Sequence, residues 1–161
     1  MLRQVFAIGL TCCMAFTSSA SARDTASVIP VSDISDDDLH RVIDLRDAET
    51  CLAGSLPQAR CLPVGHFIDP TGKVIGFHAL RWLLGTVGLK GDETVLVVGD
   101  SAEDTHRVGA LLHRAGQHRT MVFDKPFRVP ASAPPGTPRS LSRETVFTAP
   151  MRDDLYGKNK D

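Results

Sequence analysis

No cysteine follows Cys61 in this chain of 161 residues, so any thiol chemistry must come from Cys12, Cys13, Cys51 or Cys61. Aromatic surface is also scarce. One tryptophan and one tyrosine leave little for stacking on bases, and a formal net charge of −1 removes the electrostatic case for nucleic acid. No apolar run reaches the ~20 residues needed to span a bilayer. The six histidines, at 40, 66, 78, 106, 113 and 118, show neither an i, i+4 pair nor a Cys/His cluster of the kind that marks zinc. No metal, cofactor or nucleic acid is expected.

What is present begins with a leader. Arg3 supplies a short positive start, Val5 to Phe16 is largely apolar, and Ala20-Ser21-Ala22 offers the small residues that a signal peptidase reads. Residues 1–22 are therefore expected to be a cleaved secretory signal. That places the mature chain in the periplasm or outside the cell, with no stable membrane span after cleavage. Thr11 before Cys12, and Cys12 before Cys13, do not make a lipobox. The remainder, within a chain of 42% hydrophobic and 23% charged residues, suits one globular domain with some tail. Cys51 and Cys61, ten apart, are the thiols left in an oxidising compartment. They either close a disulfide or serve as small buried hydrophobes.

The organising stretch is Val95 to Gly116. Val95-Leu96-Val97-Val98 reads as a strand buried on both faces, and Asp104 to Ala115 as a helix. Between them a loop leads from strand end to helix start, where ligands bind in open α/β sheets. Upstream, Ser27 to Val31 reads as a strand and Ser35-Asp36-Asp37-Asp38 as a short helix start. Arg41 to Arg46 reads as a second strand, and Asp47 caps a brief helical turn ended by Gly54. Apolar residues Phe77, Leu80, Leu83, Leu84 and Val87 recur at three and four, predicting an amphipathic helix with Trp82 off its stripe, where it fills a flank of the core in the favoured reading and a partner surface in the other. Short strands alternating with helices predict a parallel sheet covered on both faces.

Val42-Ile43-Asp44-Leu45-Arg46-Asp47, then Gly54-Ser55-Leu56-Pro57-Gln58-Ala59, then Leu62-Pro63, resembles the rhodanese signature, in which an "IDvR" strand is followed by "GHIpGA" and "iP". Ser55 stands where the pattern has histidine and Gln58 where it has its second glycine. The strand at 95–98, the helix ending in Leu111-Leu112-His113-Arg114-Ala115-Gly116 and the run from Arg119 to Asp124 are similar to the second half of such a domain. The resemblance covers roughly residues 27–127. It implies one rhodanese-like domain over 23–127, with a parallel five-stranded sheet flanked by helices on both faces. Asp44, Arg46, Gly54 and Pro57 fall on its structural motif.

A working rhodanese presents a cysteine at the head of the central loop, where backbone N–H groups hold its anionic persulfide. Here that loop, Gly99-Asp100-Ser101-Ala102-Glu103-Asp104-Thr105, has no thiol; the nucleophile position falls on Gly99 or Asp100. A carboxylate 4–6 Å from an incoming anion, at an effective dielectric near 20, opposes it by about 3–4 kcal/mol. Glu103 and Asp104 suit a helix N-terminus instead. Ser101 and Thr105 would need a base within reach to act as nucleophiles, and His106 is near in sequence. No catalytic residue is assigned.

From Arg128 to Asp161 the character changes, with five of the ten prolines in this stretch. The composition predicts a flexible Pro-rich tail over 128–161. Val146-Phe147 and Leu155-Tyr156 are apolar islands in it that either meet a partner or fold back on the domain. Two functions from different classes follow. One is a catalytically inactive rhodanese-like module that binds an envelope protein through its loop and tail. The other is a thiol-dependent sulfurtransferase or redox enzyme using Cys51 or Cys61.

Overall fold

A computed structural model describes residues 28–35, 41–129 and 131–152. The expected signal over 1–22, the helix start at 36–38 and the Leu155-Tyr156 island lie outside the described residues.

Six strands form one parallel sheet. They are β1 (Val28–Val31), β2 (Val42–Asp44), β3 (Ala59–Cys61), β4 (Thr94–Val98), β5 (Arg119–Phe123) and β6 (Thr137–Pro138), in the order β1-β5-β4-β2-β3-β6. The helices are α1 (Ala48–Ala53), α2 (Phe77–Gly85) and α3 (Ala102–Ala115). The α/β class with a parallel sheet is as expected; the strand count is six rather than five. The additional strand comes from the Pro-rich segment, whose Thr137 and Pro138 pair with Arg60 and Cys61. Pro138 is tolerated there because β6 is an edge.

The sheet separates two apolar clusters by strand alternation. Ile43, Val95, Val97 and Val122 face α2 and α3, meeting Leu80, Leu83, Leu84, Val108 and Leu112. Val42, Leu96, Val98 and Met121 face the other way, onto Leu56, Phe127 and Val129. The six-residue α1 is the only described helix on that second side, held there by the bond from Cys51 to Cys61. Cover on the two faces is therefore unequal, where the sequence predicts helices on both. Loop residues do on one side what α2 and α3 do on the other.

The segment after Arg128 is not a free tail over the described residues. Phe147 is 2% exposed within the first cluster, and Arg81 donates two hydrogen bonds to its carbonyl, from Nη2 at 2.6 Å and Nε at 3.2 Å. Thr145 and Glu144 donate backbone N–H to Gly85, Thr148 to Lys90, and Arg152 to Arg114. Arg60 donates to Glu144 at 2.6 Å, and this bond first, then that from Ser140, holds the Glu144 carboxyl below the usual carboxylate range. Gly116 lets the strap close. Its φ is +113°, and a Cβ there would stand 2.2 Å from the Pro150 carbonyl oxygen. Composition predicted disorder because it counts prolines; it cannot register backbone bonding to a preformed surface.

Trp82 is also not where the sequence put it. The α2 stripe of Leu80, Leu83 and Leu84 is buried, but the indole is 43% exposed.

Candidate functional site at the carboxyl ends of the strands

At the carboxyl end of β2 lies the best-satisfied polar group of the fold. Asp44 is fully buried, and Arg46, 5% exposed, forks onto it with Nε at 3.0 and 3.1 Å and Nη2 at 2.5 Å. The Arg46 backbone N–H adds a bond at 3.0 Å, and Ser55 Oγ donates to Oδ2 at 2.6 Å. Arg46 Nη2 also donates to the Gly54 carbonyl at 2.7 Å, and its guanidinium stands 4.9 Å from the centre of the Phe127 ring. Thus Asp44, Arg46 and Gly54 are brought together, along with Ser55, whose hydroxyl supplies a further donor. The carboxylate next to it holds Arg46 above the ordinary guanidinium value.

Pro57 belongs to the same motif through a turn. Ala59 N–H donates to the Leu56 carbonyl at 3.1 Å, and Gln58 is in the left-handed region with φ 61°. Proline followed by a positive φ is the order of a type II turn, whose third position favours glycine. The pattern has glycine there. Gln58→Gly is accordingly expected to raise stability by about 0.5–1 kcal/mol, the relief of left-handed strain less the entropy glycine adds to the unfolded chain. Urea melts of the two proteins test this, and a lower midpoint for the glycine variant would contradict it.

The central loop is shorter than predicted. Ser101 is the N-cap of α3, its Oγ accepting from Asp104 N–H at 3.3 Å, so the helix starts at Ala102. Of the candidate ligand-loop residues, Asp104 and Thr105 are helical as the helix reading over 104–115 has them, and Ala102 and Glu103 are helical as well; only Gly99, Asp100 and Ser101 connect β4 to α3. The helix start is written in Ser101-Ala102-Glu103-Asp104, a serine with an acid three residues on, which is a capping pattern. Thr105 is buried and donates to the carbonyls of Ala102 at 2.8 Å and Phe123 at 2.9 Å. Both hydroxyls are thus engaged with backbone, and neither is set up as an activated nucleophile.

Over this turn returns the chain from β5. Phe127 N–H donates to the Gly99 carbonyl at 2.8 Å, and Arg128 Nη1 meets Asp100 Oδ1 at 2.7 Å. Both of these side chains are more than half exposed, so their pairing stabilises by no more than about 1 kcal/mol. It places a cation against Asp100, one of the three carboxylates that the sequence puts at Asp100, Glu103 and Asp104. Sequence reasoning missed Arg128 since it fell in the supposed tail. A hollow of about 410 Å³ opens beside Arg46, between Glu49, Thr50, Ala53 and Gly54 on one side and Val129 and Ala131 on the other. The Nε and Nη2 donors of Arg46 are committed to Asp44 and Gly54, which leaves this hollow poorly equipped to hold an anion.

The two cysteines sit on the second face of the sheet. Cys51 on α1 and Cys61 on β3 have Cα atoms 5.7 Å apart and sulfurs at bonding distance. They are 0% and 3% exposed. Gly136 lies directly against them, its N–H donating to the Cys51 carbonyl at 3.0 Å. A Cβ at Gly136 would be 2.6 Å from either sulfur. Among the described residues no set of three His, Cys, Asp or Glu side chains is placed to hold a metal, and no helix is long and apolar enough to cross a membrane. A scan against protein-family models finds no match, and a search of curated proteins finds no similar sequence.

Proposed function

We propose that this chain is an exported, rhodanese-like module that has no sulfurtransferase chemistry and acts by binding a protein of the periplasm or cell envelope. One observation carries the reading: the turn where the family would present its cysteine is Gly99-Asp100-Ser101, three residues long, without a thiol and tied to Phe127 and Arg128. A persulfide needs a sulfur nucleophile and a ring of free N–H donors. This turn offers no sulfur nucleophile, and one N–H at the start of α3, that of Asp104, is already taken by Ser101 Oγ. The parallel sheet and the Pro57-Gln58 turn, with positive φ where the pattern has glycine, support the likeness to the family. Fold by itself does not supply function, which resides in the site.

The second reading, a thiol-dependent sulfurtransferase or redox enzyme, has one observation in its favour: Cys51 and Cys61 lie together. Against it, both are buried beneath Gly136, whereas reactive cysteines are partly exposed and in electropositive surroundings. A thiosulfate:cyanide assay separates the two. The expected result is thiocyanate formation at the buffer rate by the purified protein and by a Cys51→Ser/Cys61→Ser variant alike. Turnover lost in the double variant would establish the enzyme. Because Phe147 fills the core, partner capture from an envelope extract should use the full chain rather than one cut at residue 128.

A further inference from the structure

We infer that the hollow between α2 and the C-terminal strap, with Trp82 and Arg143 on its rim, is a docking site for an acidic polypeptide segment carrying an apolar side chain. The hollow measures about 310 Å³ and is lined by His78, Arg81, Trp82, Arg143, Val146 and Phe147. Two of these are large apolar side chains held in water, Trp82 at 43% and Val146 at 58% exposure. Such groups side by side at a concavity mark a contact surface more than either would alone.

Charge identifies the occupant. The chain carries 19 acidic residues against 18 basic ones, yet among the described residues no carboxylate lines this hollow. Arg81 is fixed by its two bonds to the Phe147 carbonyl and lies 5.5 Å from the Phe77 ring centre. Arg143 is different: its stem lies across Gly85, where a Cβ would stand 3.2 Å from its Cγ, and its guanidinium has no hydrogen-bond or ion-pair partner among the described residues. Glu144, next in sequence, is taken by Arg60 and Ser140. An exposed indole, a neighbouring valine and a guanidinium with no partner among the described residues fit an apolar side chain flanked by carboxylates, the guanidinium donating its forked N–H groups to a carboxylate. A membrane surface is less suited, since Trp82 and Val146 border a hollow rather than a projecting face.

This inference rests on the reading of the chain as a binding module and gives that module a location away from the degenerate turn. Trp82 is the only tryptophan, so its emission reports on the site directly. The full chain is titrated with three synthetic hexapeptides in which leucine alternates with aspartate, asparagine or lysine. The aspartate peptide is expected to shift the Trp82 emission to the blue and to bind at least about tenfold more tightly than the asparagine peptide, with the difference shrinking as salt rises from about 20 mM to about 500 mM. Arg143→Ala should remove most of the preference, Arg143→Lys keep part of it, and Arg143→Glu transfer it to the lysine peptide, all with unchanged far-ultraviolet circular dichroism. Equal binding of aspartate and asparagine peptides, or no effect of Arg143→Glu, would overturn the inference. So would an emission shift produced by phosphatidylglycerol vesicles and not by the aspartate peptide. Thiocyanate turnover in the sulfur assay would remove the module reading while leaving this titration intact, so the two failures are distinguishable.

Discussion

Arg46→Ala should lower the free energy of unfolding by about 3–5 kcal/mol, a large part of the 5–15 kcal/mol typical of a domain, and shift the urea midpoint accordingly. The magnitude follows from what is left behind. Asp44 is completely buried, and removal of the guanidinium takes away three of its five hydrogen bonds, leaving the Arg46 backbone N–H and Ser55 Oγ to hold a full negative charge. Arg46 also tethers the Gly54 carbonyl and underlies Phe127, so its loss loosens the end of α1 and the segment that closes over the central turn. A double variant, Asp44→Ala/Arg46→Ala, should be less damaged than the sum of the two single changes, because no stranded charge remains. Strict additivity in that cycle would refute the assignment of the pair as a coupled buried unit.

Gly136→Ala is expected to cost about 1–3 kcal/mol while the cysteines are bonded, as an added methyl must push β6 away from the sulfurs. In a Cys51→Ala/Cys61→Ala background the same change should cost less than half as much. The Cys51 carbonyl, 2.7 Å from where the Cβ would stand, still resists it there, but both sulfurs are gone. Removal of the disulfide alone should lower stability by about 2–3 kcal/mol, the chain-entropy value for a loop of roughly ten residues. Urea midpoints of the four proteins under non-reducing conditions give all three numbers. Identical costs for Gly136→Ala in both backgrounds would show that the strap does not feel the sulfurs.

How much of this was legible beforehand differs from element to element. The Val95–Val98 strand was visible because a run of four branched or large apolar residues fits little else than a central strand, and β4 spans Thr94–Val98. Likewise α2 followed from its three-and-four spacing, although it ends at Gly85 rather than Val87. The start of α3 was misplaced by two residues because Glu103 was weighed as a ligand-loop acid before Ser101 was weighed as a cap. Trp82 lies off an α2 stripe already complete without it, so spacing leaves both an inward and an outward place open to it, and the favoured inward one is not taken.

The site was half legible. Asp44, Arg46, Gly54 and Pro57 are close in sequence, and a local pattern records them. Ser55 as donor and Gln58 at positive φ sit inside that same pattern as its two departures. By contrast, Arg128 on Asp100 and Gly136 on the disulfide join positions 28 and more than 70 residues apart. No periodicity or spacing reports a contact of that kind. The prolines of the strap gave a signal pointing the wrong way, since they forbid regular structure without forbidding a fixed path.

The pairing of β1 with β5 and of β3 with β6 bears on how the protein comes into being. Val28 is matched to Thr120, and Cys61 to Pro138, with no hairpin anywhere in the sheet. Topologies of this kind close large loops before they gain contact energy, so folding is slow and strongly non-local. A chain emerging from the ribosome holds β1 unmatched until Arg119–Phe123 has been made, and β3 lacks its outer neighbour until Thr137–Pro138 follows; Phe147 enters the first apolar cluster later than any of these strands.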